Sequence, residues 1–260
     1  HTYHNWAYTG GAFQLGFNLR WAAVKIHTRT NQTQYLWFPE GNHLADLHWH
    51  LPLRTMDEAA GRNNRIWKDW IDHPSYDEYW ESMQPVEHRY PDIEVPIYGM
   101  GGWFDVFLQG TLNNFMGVRR EGREPGKSNQ KVVIGPWIHS LGGHGTETKV
   151  GDMDFGHTVL IGLRNECLRW FDYWLKGIDN GIVDEPSVNV FVMGANEWRT
   201  SSEWPIPGTA YVPYYLHSRG NANSLFGDGG LDTNQPSSED PDRFVYDPSN
   251  PVMTLGGSTC

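Results

Sequence analysis

Two apolar runs constrain this chain more than any other feature, because each closes in glycine and tryptophan and then delivers one polar residue. The first is Val95-Pro96-Ile97-Tyr98-Gly99-Met100, which continues through Gly101-Gly102-Trp103-Phe104 to Asp105. The second is Lys131-Val132-Val133-Ile134, which continues through Gly135-Pro136-Trp137-Ile138 to His139. Short continuous apolar runs bounded by turn residues read as buried strands. Between them Val106 to Met116 reads as a helix, with Leu108, Leu112 and Phe115 on one stripe and Gly117 in place to cap its end. Strand, helix and strand in that order belong to a parallel α/β sheet.

In open α/β sheets, reactive groups sit just beyond the C-terminal ends of strands, where loops meet helix starts. Asp105 and His139 both fit that rule. If their strands are neighbours, both side chains project at one sheet edge, where an aspartate can fix the tautomer of a histidine and stabilise its imidazolium. Each residue alone has a plainer reading: Asp105 as a helix N-cap, His139 as a structural or exposed histidine. Together they match the last two members of the chain order of an α/β-hydrolase triad: serine, then acid, then histidine.

The flanking regions differ in texture. Residues 1–90 read as a mostly helical, cap-like region, with candidates at Phe17 to Ile26, at Arg65 to Ile71, and from Ser75, where Glu78 completes a capping box after Pro74. In the second of these, Trp67, Trp70 and Ile71 share a face. Residues 91–208 carry the alternating strands and helices. They include a helix expected over His157 to Lys176, stopped by Gly177 and lying flat on the sheet, and a strand over Val188 to Met193. Residues 209–260 turn rich in Gly, Asn, Asp, Ser and Pro between short aromatic or β-branched stretches, the texture of an all-β domain.

Composition narrows the function classes. With 38% hydrophobic residues, 20% charged residues and 13 Trp among 260 residues, the chain has the apolar surface for a folded core. A net charge of -11 and the lack of a basic patch argue against nucleic acid and anionic membranes as partners. No apolar run approaches a bilayer span, and the first residues lack the pattern of a signal peptide. A soluble protein, cytoplasmic or secreted, is expected. Both ends of the sequence read as cuts. Cys167 and Cys260 suggest neither a disulfide framework nor a zinc site.

Three strings carry a resemblance: Val95 to Asp105, Val133 to His139, and Leu168-Arg169-Trp170-Phe171-Asp172-Tyr173-Trp174-Leu175-Lys176-Gly177. They look like the CocE/NonD family of serine hydrolases, which groups cocaine esterase, X-prolyl dipeptidyl peptidases and α-amino-acid ester hydrolases. Tyr8 to Phe13 resembles the family's entry into its helical cap. Val190 to Gly194, with Trp198-Arg199 and Trp204-Pro205, resembles the end of its catalytic domain, and Tyr246 to Pro248 with Asn250 to Val252 the start of its jelly roll. The resemblance implies a partial α/β-hydrolase fold with a helical cap, followed by the beginning of a β jelly roll. It makes Asp105 the triad acid and His139 the general base. It implies no cofactor and no metal, and a small ester, amide or X-Pro peptide as substrate; a homodimer is compatible with it.

The sequence departs from the family in lacking the nucleophile. Ser75, Ser82, Ser128 and Ser140 have neither flanking glycines nor a preceding strand, and Ser258 comes after His139. The serine and the oxyanion-hole donors are therefore expected upstream of His1, and the fragment alone is expected to be inactive. Trp67, Trp70, Trp103 and Trp137 are candidates for lining the substrate pocket, with Trp80 weighed alongside them, although tryptophans at helical spacing more often pack. No acidic residue follows Asp105 through Gln109, which leans toward ester or other acyl groups without a free amine, unless Glu87, Asp92 and Glu94 supply the charge. His43, His48 and His50 form a weak metal candidate, and Gly142 to Gly145 a flexible turn. Two rival readings stay open, a noncatalytic carbohydrate- or peptide-binding protein and a metal-dependent hydrolase.

Overall fold

The computed structural model describes residues 2–19, 46–60, 63–83, 86–139, 147–247 and 249–250. They form two compact units, divided at Trp204 and Pro205. The boundary expected near residue 209 thus falls a few residues earlier, and residues 1–90 join the α/β region in one unit.

After a π-helical stretch over Thr2–Ala7, the first unit forms a short hairpin, β1 (Tyr8–Thr9) and β2 (Ala12–Phe13), and further along two helices, α1 (Arg65–Asp72) and α2 (Glu78–Ser82). Helix α1 starts where the Asn64 side chain accepts the backbone N–H groups of Ile66 and Trp67 at 3.0 and 3.3 Å. Helix α2 starts at Asp77, whose carboxylate accepts the Tyr79 N–H, so the cap stands two residues beyond the expected Ser75. An ionised carboxylate accepts such a bond more strongly than a serine hydroxyl. Helical backbone covers 15–19, and the rest of the candidate over Phe17 to Ile26 lies outside the described residues.

Indole burial holds this region together. Trp67 packs with Leu19, Leu47 and Met56, while Trp70 and Trp80 pack with Tyr3, Ala7 and Tyr8. Each enclosed Trp brings polar atoms that need partners. Trp67 Nε1 donates to the Leu53 carbonyl and Trp80 Nε1 to that of His73, both within 2.8 Å. The Tyr8 hydroxyl donates to the Trp70 carbonyl at 2.9 Å, and burial pushes its pKa up to about 12.

A four-stranded sheet follows, from β3 (Ile97–Phe104), β4 (Gln130–Ile138), β7 (Val188–Val192) and β8 (Glu197–Ser201), in that spatial order. The pairs β3–β4 and β4–β7 are parallel, and β8 closes the sheet antiparallel to β7. Strands β3 and β4 run on through their glycines instead of ending there. Two hairpin strands, β5 (Lys149–Val150) and β6 (Met153–Asp154), lie between β4 and β7.

Helix α3 (Leu108–Glu121) connects β3 to β4 and buries Leu112, Phe115 and Val118. It runs four residues past Gly117. That glycine is not a cap: a Cβ there would fall 2.1 Å from the Tyr90 ring, which rests against the helix at this position. Gly117 is glycine because an aromatic ring needs the space.

The other long helix, α4 (Leu163–Lys176), starts later than expected from the sequence. A single 3₁₀ turn covers His157–Val159 and extended backbone follows from Leu160, so that Val159, Ile161 and Leu163 enter one core with Val133, Trp137, Phe155 and Phe191. Gly177, at φ 69°, ends α4 in the left-handed conformation that suits a C-cap glycine. Trp170 of α4 meets Tyr98 of β3 with ring centroids 5.5 Å apart, and Cys167 Sγ lies 3.9 Å from Met100 Sδ. The helix does not bury all its apolar positions: Leu168, Phe171, Leu175 and the following Ile178 are 49% to 76% exposed.

The second unit, from Pro205 onward, has one hairpin among its described residues, β9 (Tyr215–His217) paired antiparallel with β10 (Gly230–Asp232). His217 Nδ1 lies 2.7 Å from Glu239 Oε1, and Glu239 Oε2 accepts the Ser218 N–H at 2.8 Å.

Candidate active site

Where β3 and β4 end, their last residues lie side by side, Phe104 paired with Ile138, so the next residue on each strand is Asp105 and His139. Asp105 is 7% exposed, and its two carboxylate oxygens have separate tasks. Oδ1 accepts the backbone N–H of Phe107 at 2.7 Å, fixing the turn into α3. Oδ2 lies 3.0 Å from His139 Nδ1. The same side chain thus braces the turn before α3 and binds the histidine, while the N-cap of the helix is Phe107 and not the expected Asp105. A carboxylate can only accept, so Nδ1 carries the proton and Nε2 is the nitrogen with a lone pair for chemistry. The His139 side chain is about one-third exposed, enough for that nitrogen to meet a reacting group.

One residue of this site was not among the sequence candidates. Phe107 gives its N–H to Asp105, and its ring meets the His139 imidazole edge to face, with centroids 4.9 Å apart at 79°. The Phe107 ring also meets Trp6 at 5.5 Å, and Trp6 in turn meets Trp70 at 6.0 Å. The available sequence signal was its position two residues after the aspartate, where an Asx turn places the donor.

Of the tryptophan candidates, Trp67, Trp70 and Trp137 are each no more than 3% exposed and belong to three separate clusters. Trp103 is half-buried and donates Nε1 to the Phe191 carbonyl at 2.7 Å, bracing the end of β3 across the sheet to β7. A cavity of about 190 Å³, lined by Ile97, Gly99, Thr111, Gln130 and their neighbours, sits at the opposite end of the strands from His139.

Of the remaining candidates, His50 Nε2 lies 3.0 Å from Thr55 Oγ1, while His43, Ser140, Ser258 and Gly142 to Gly145 are outside the described residues. Among the described residues no group of three His, Cys, Asp or Glu could hold a metal ion. Ser82 Oγ donates to the Tyr79 carbonyl, and Ser128 Oγ to Glu124. No described helix is long and apolar enough to cross a membrane.

A mixed sheet whose adjacent parallel strands end in a buried aspartate and a partly exposed histidine is consistent with part of an α/β-hydrolase fold. The chain belongs to the X-Pro dipeptidyl-peptidase (S15 family), whose profile matches residues 1–141, and residues 180–254 match the C-terminal non-catalytic domain of X-Pro dipeptidyl-peptidases. The cocaine esterase of Rhodococcus sp. is 35% identical over 192 residues, covering 72% of this chain and 31% of that protein. A putative Xaa-Pro dipeptidyl-peptidase of Bacillus cereus is 31% identical over 129 residues, covering 42% of this chain and 22% of its own length. Among solved structures, an aminopeptidase from a marine sediment archaeon, Thaumarchaeota archaeon, is similar with a TM-score of 0.67 and 25% identity, over 95% of this chain and 38% of that one. A CocE/NonD family hydrolase of Staphylococcus aureus shares the fold at a TM-score of 0.52, over 89% of this chain and 32% of that one. The chain thus spans about a third or less of the curated relatives named here.

Proposed function

We propose that the protein is a serine hydrolase that cleaves a carboxylic ester, or a related amide or X-Pro peptide bond, through an acyl-enzyme. Asp105 acts as the triad acid and His139 as the general base. One observation carries this reading: the buried Asp105 carboxylate holds His139 Nδ1 at 3.0 Å where adjacent parallel strands end. His139 Nε2 takes the proton of a serine hydroxyl as its oxygen bonds to the acyl carbon, then passes that proton to the departing alcohol or amine. In the second half, water attacks the acyl-serine and the same nitrogen relays its proton. The serine and the oxyanion-hole donors belong to a segment outside this sequence. The second unit, from Pro205 onward, opens a β domain of jelly-roll type.

Ester-like substrates without a free α-amine fit this site best. A substrate ammonium calls for carboxylates close by. Asp92 and Glu94 precede β3, whose eight residues put about 25 Å of strand between them and Asp105. Asp92 is also engaged by Arg89 and Arg123.

The test uses the protein extended upstream through its serine. Fluorophosphonate labelling and hydrolysis of a p-nitrophenyl ester are expected, both abolished by His139→Ala. Turnover that survives that change sinks the reading, and an extended protein that binds sugars or peptides without labelling supports the noncatalytic alternative. The 260-residue chain by itself is expected to show no ester turnover.

A further inference from the structure

We propose that Gly102 is a positioning residue for the Asp105–His139 pair, an inference that rests on the hydrolase reading above. The pairing of β3 with β4 keeps one register from Ile97↔Gln130 to Gly102↔Gly135, an offset of 33 residues, and then slips to 34 at Phe104↔Ile138. One extra residue is therefore folded into β4 between Gly135 and Ile138. Continued with the slip, the strands set Asp105 beside His139. Continued without it, they would set Asp105 beside Ile138. Because side chains alternate between faces, His139 would then point to the opposite side of the sheet.

What makes room for the slip is glycine on both strands. A Cβ on Gly102 would fall 2.1 Å from the Trp137 carbonyl oxygen and 2.7 Å from its carbon, backbone atoms that cannot swing aside. A Cβ on Gly135 would fall 2.3 Å from the Trp137 indole, which folds back over that residue. These two glycines are partners in the register immediately before the slip. The extra residue can be accommodated with the strands still in contact only because neither position carries a side chain. Pro136 lies within the same stretch, where a missing N–H does least harm to a ladder.

At Gly99, on the same strand, the requirement is absent. A Cβ on Gly99 would meet its neighbours at 3.4 to 3.7 Å, ordinary contact distances, so Gly99→Ala is the matched control on the same strand.

The experiment uses the protein extended through its serine. In Gly102→Ala, kcat is expected to fall about 100-fold with KM within twofold of wild type, the size of loss that a displacement of about 1 Å produces. The NMR signal of the His139 Nδ1 proton, sharp when a carboxylate holds the ring, is expected to broaden or vanish. Gly99→Ala should keep both kcat and the signal. A second variant lacking Pro136 removes the extra residue and leaves His139 opposite Asp105 in the regular 33-residue register, so Gly102→Ala placed in that deletion is expected to change its kcat less than twofold. Wild-type kcat and an intact proton signal in folded Gly102→Ala, or a loss from Gly102→Ala in the Pro136 deletion as large as the loss without it, would overturn the proposal. So would failure of both variants to fold, since Gly102 would then serve the sheet as a whole. Activity lost in His139→Ala but kept in Gly102→Ala defeats this inference alone, whereas activity kept in His139→Ala defeats the hydrolase reading beneath it.

Discussion

Two histidines in this molecule bind carboxylates at nearly the same distance, and their surroundings give them opposite characters. His139 meets one buried aspartate, at the ends of two parallel strands. His217 meets Glu239 at 2.7 Å through Nδ1 and has Asp232 at 3.2 Å from Nε2, within ion-pair range but not aligned for a hydrogen bond. The first arrangement leaves a nitrogen for chemistry. The second sets negative charge on both sides of the ring, which favours its protonated form, so its pKa is raised by Glu239 first and by Asp232 as well. A histidine beside an acid is thus no signature of catalysis. What separates the two is how many carboxylates face the ring and how firmly the backbone holds them.

The comparison breaks first at the site itself. In the extended protein, Asp105→Asn should lower kcat by about 10⁴-fold by removing the acceptor that fixes the tautomer, while Glu239→Gln should leave kcat unchanged; equal effects on steady-state kinetics would erase the distinction. Next comes the aromatic core that the first unit has and the described part of the second lacks. Trp67→Ala should destabilise the first unit by about 3–5 kcal/mol in urea titration, through the cavity it leaves. A smaller loss, about 1–3 kcal/mol, is expected for Gly117→Ala, where the added methyl must displace the Tyr90 ring.

The smallest effect concerns pH. The folded pKa of His217 lies above its ordinary 6.5, so its contribution is complete below that value and is lost as pH rises through the raised one. Glu239 and Asp232 are held below their ordinary values, chiefly by hydrogen bonds from His217 and from the Asn234 backbone respectively, so their share is lost only in stronger acid. Amide protection across β9 and β10, corrected for intrinsic exchange, should therefore fall as pH rises above 6.5. Glu239→Gln should flatten that fall; a flat wild-type profile would refute it.

The strand, helix and strand around Asp105 and His139 could be read from sequence because two apolar runs, a stripe of Leu108, Leu112 and Phe115, and two glycine-tryptophan endings all agree. Strand β8 was illegible because Glu197-Trp198-Arg199-Thr200-Ser201 has a single large apolar residue and looks like a loop until β7 pairs with it. Gly117 looked like a stop because a glycine letter does not say whether it frees the backbone or makes room for a neighbour. The His157 to Lys176 pattern held from Leu163, whereas its first residues enter the core by alternation rather than by helical turn. The one-residue slip beside Trp137 was beyond reach, since register exists only between two strands. Phe107 went unnoticed for a similar reason, because its importance lies in what it touches.

The outward ridge of Leu168, Phe171, Leu175 and Ile178 bears on how the purified chain behaves in solution. Its net charge of -11 keeps copies apart while the ionic atmosphere is thin. At physiological salt that repulsion reaches only about 8 Å, and the attraction between oily ridges is not screened with it. Dilute buffer will therefore keep this chain dispersed better than saline will.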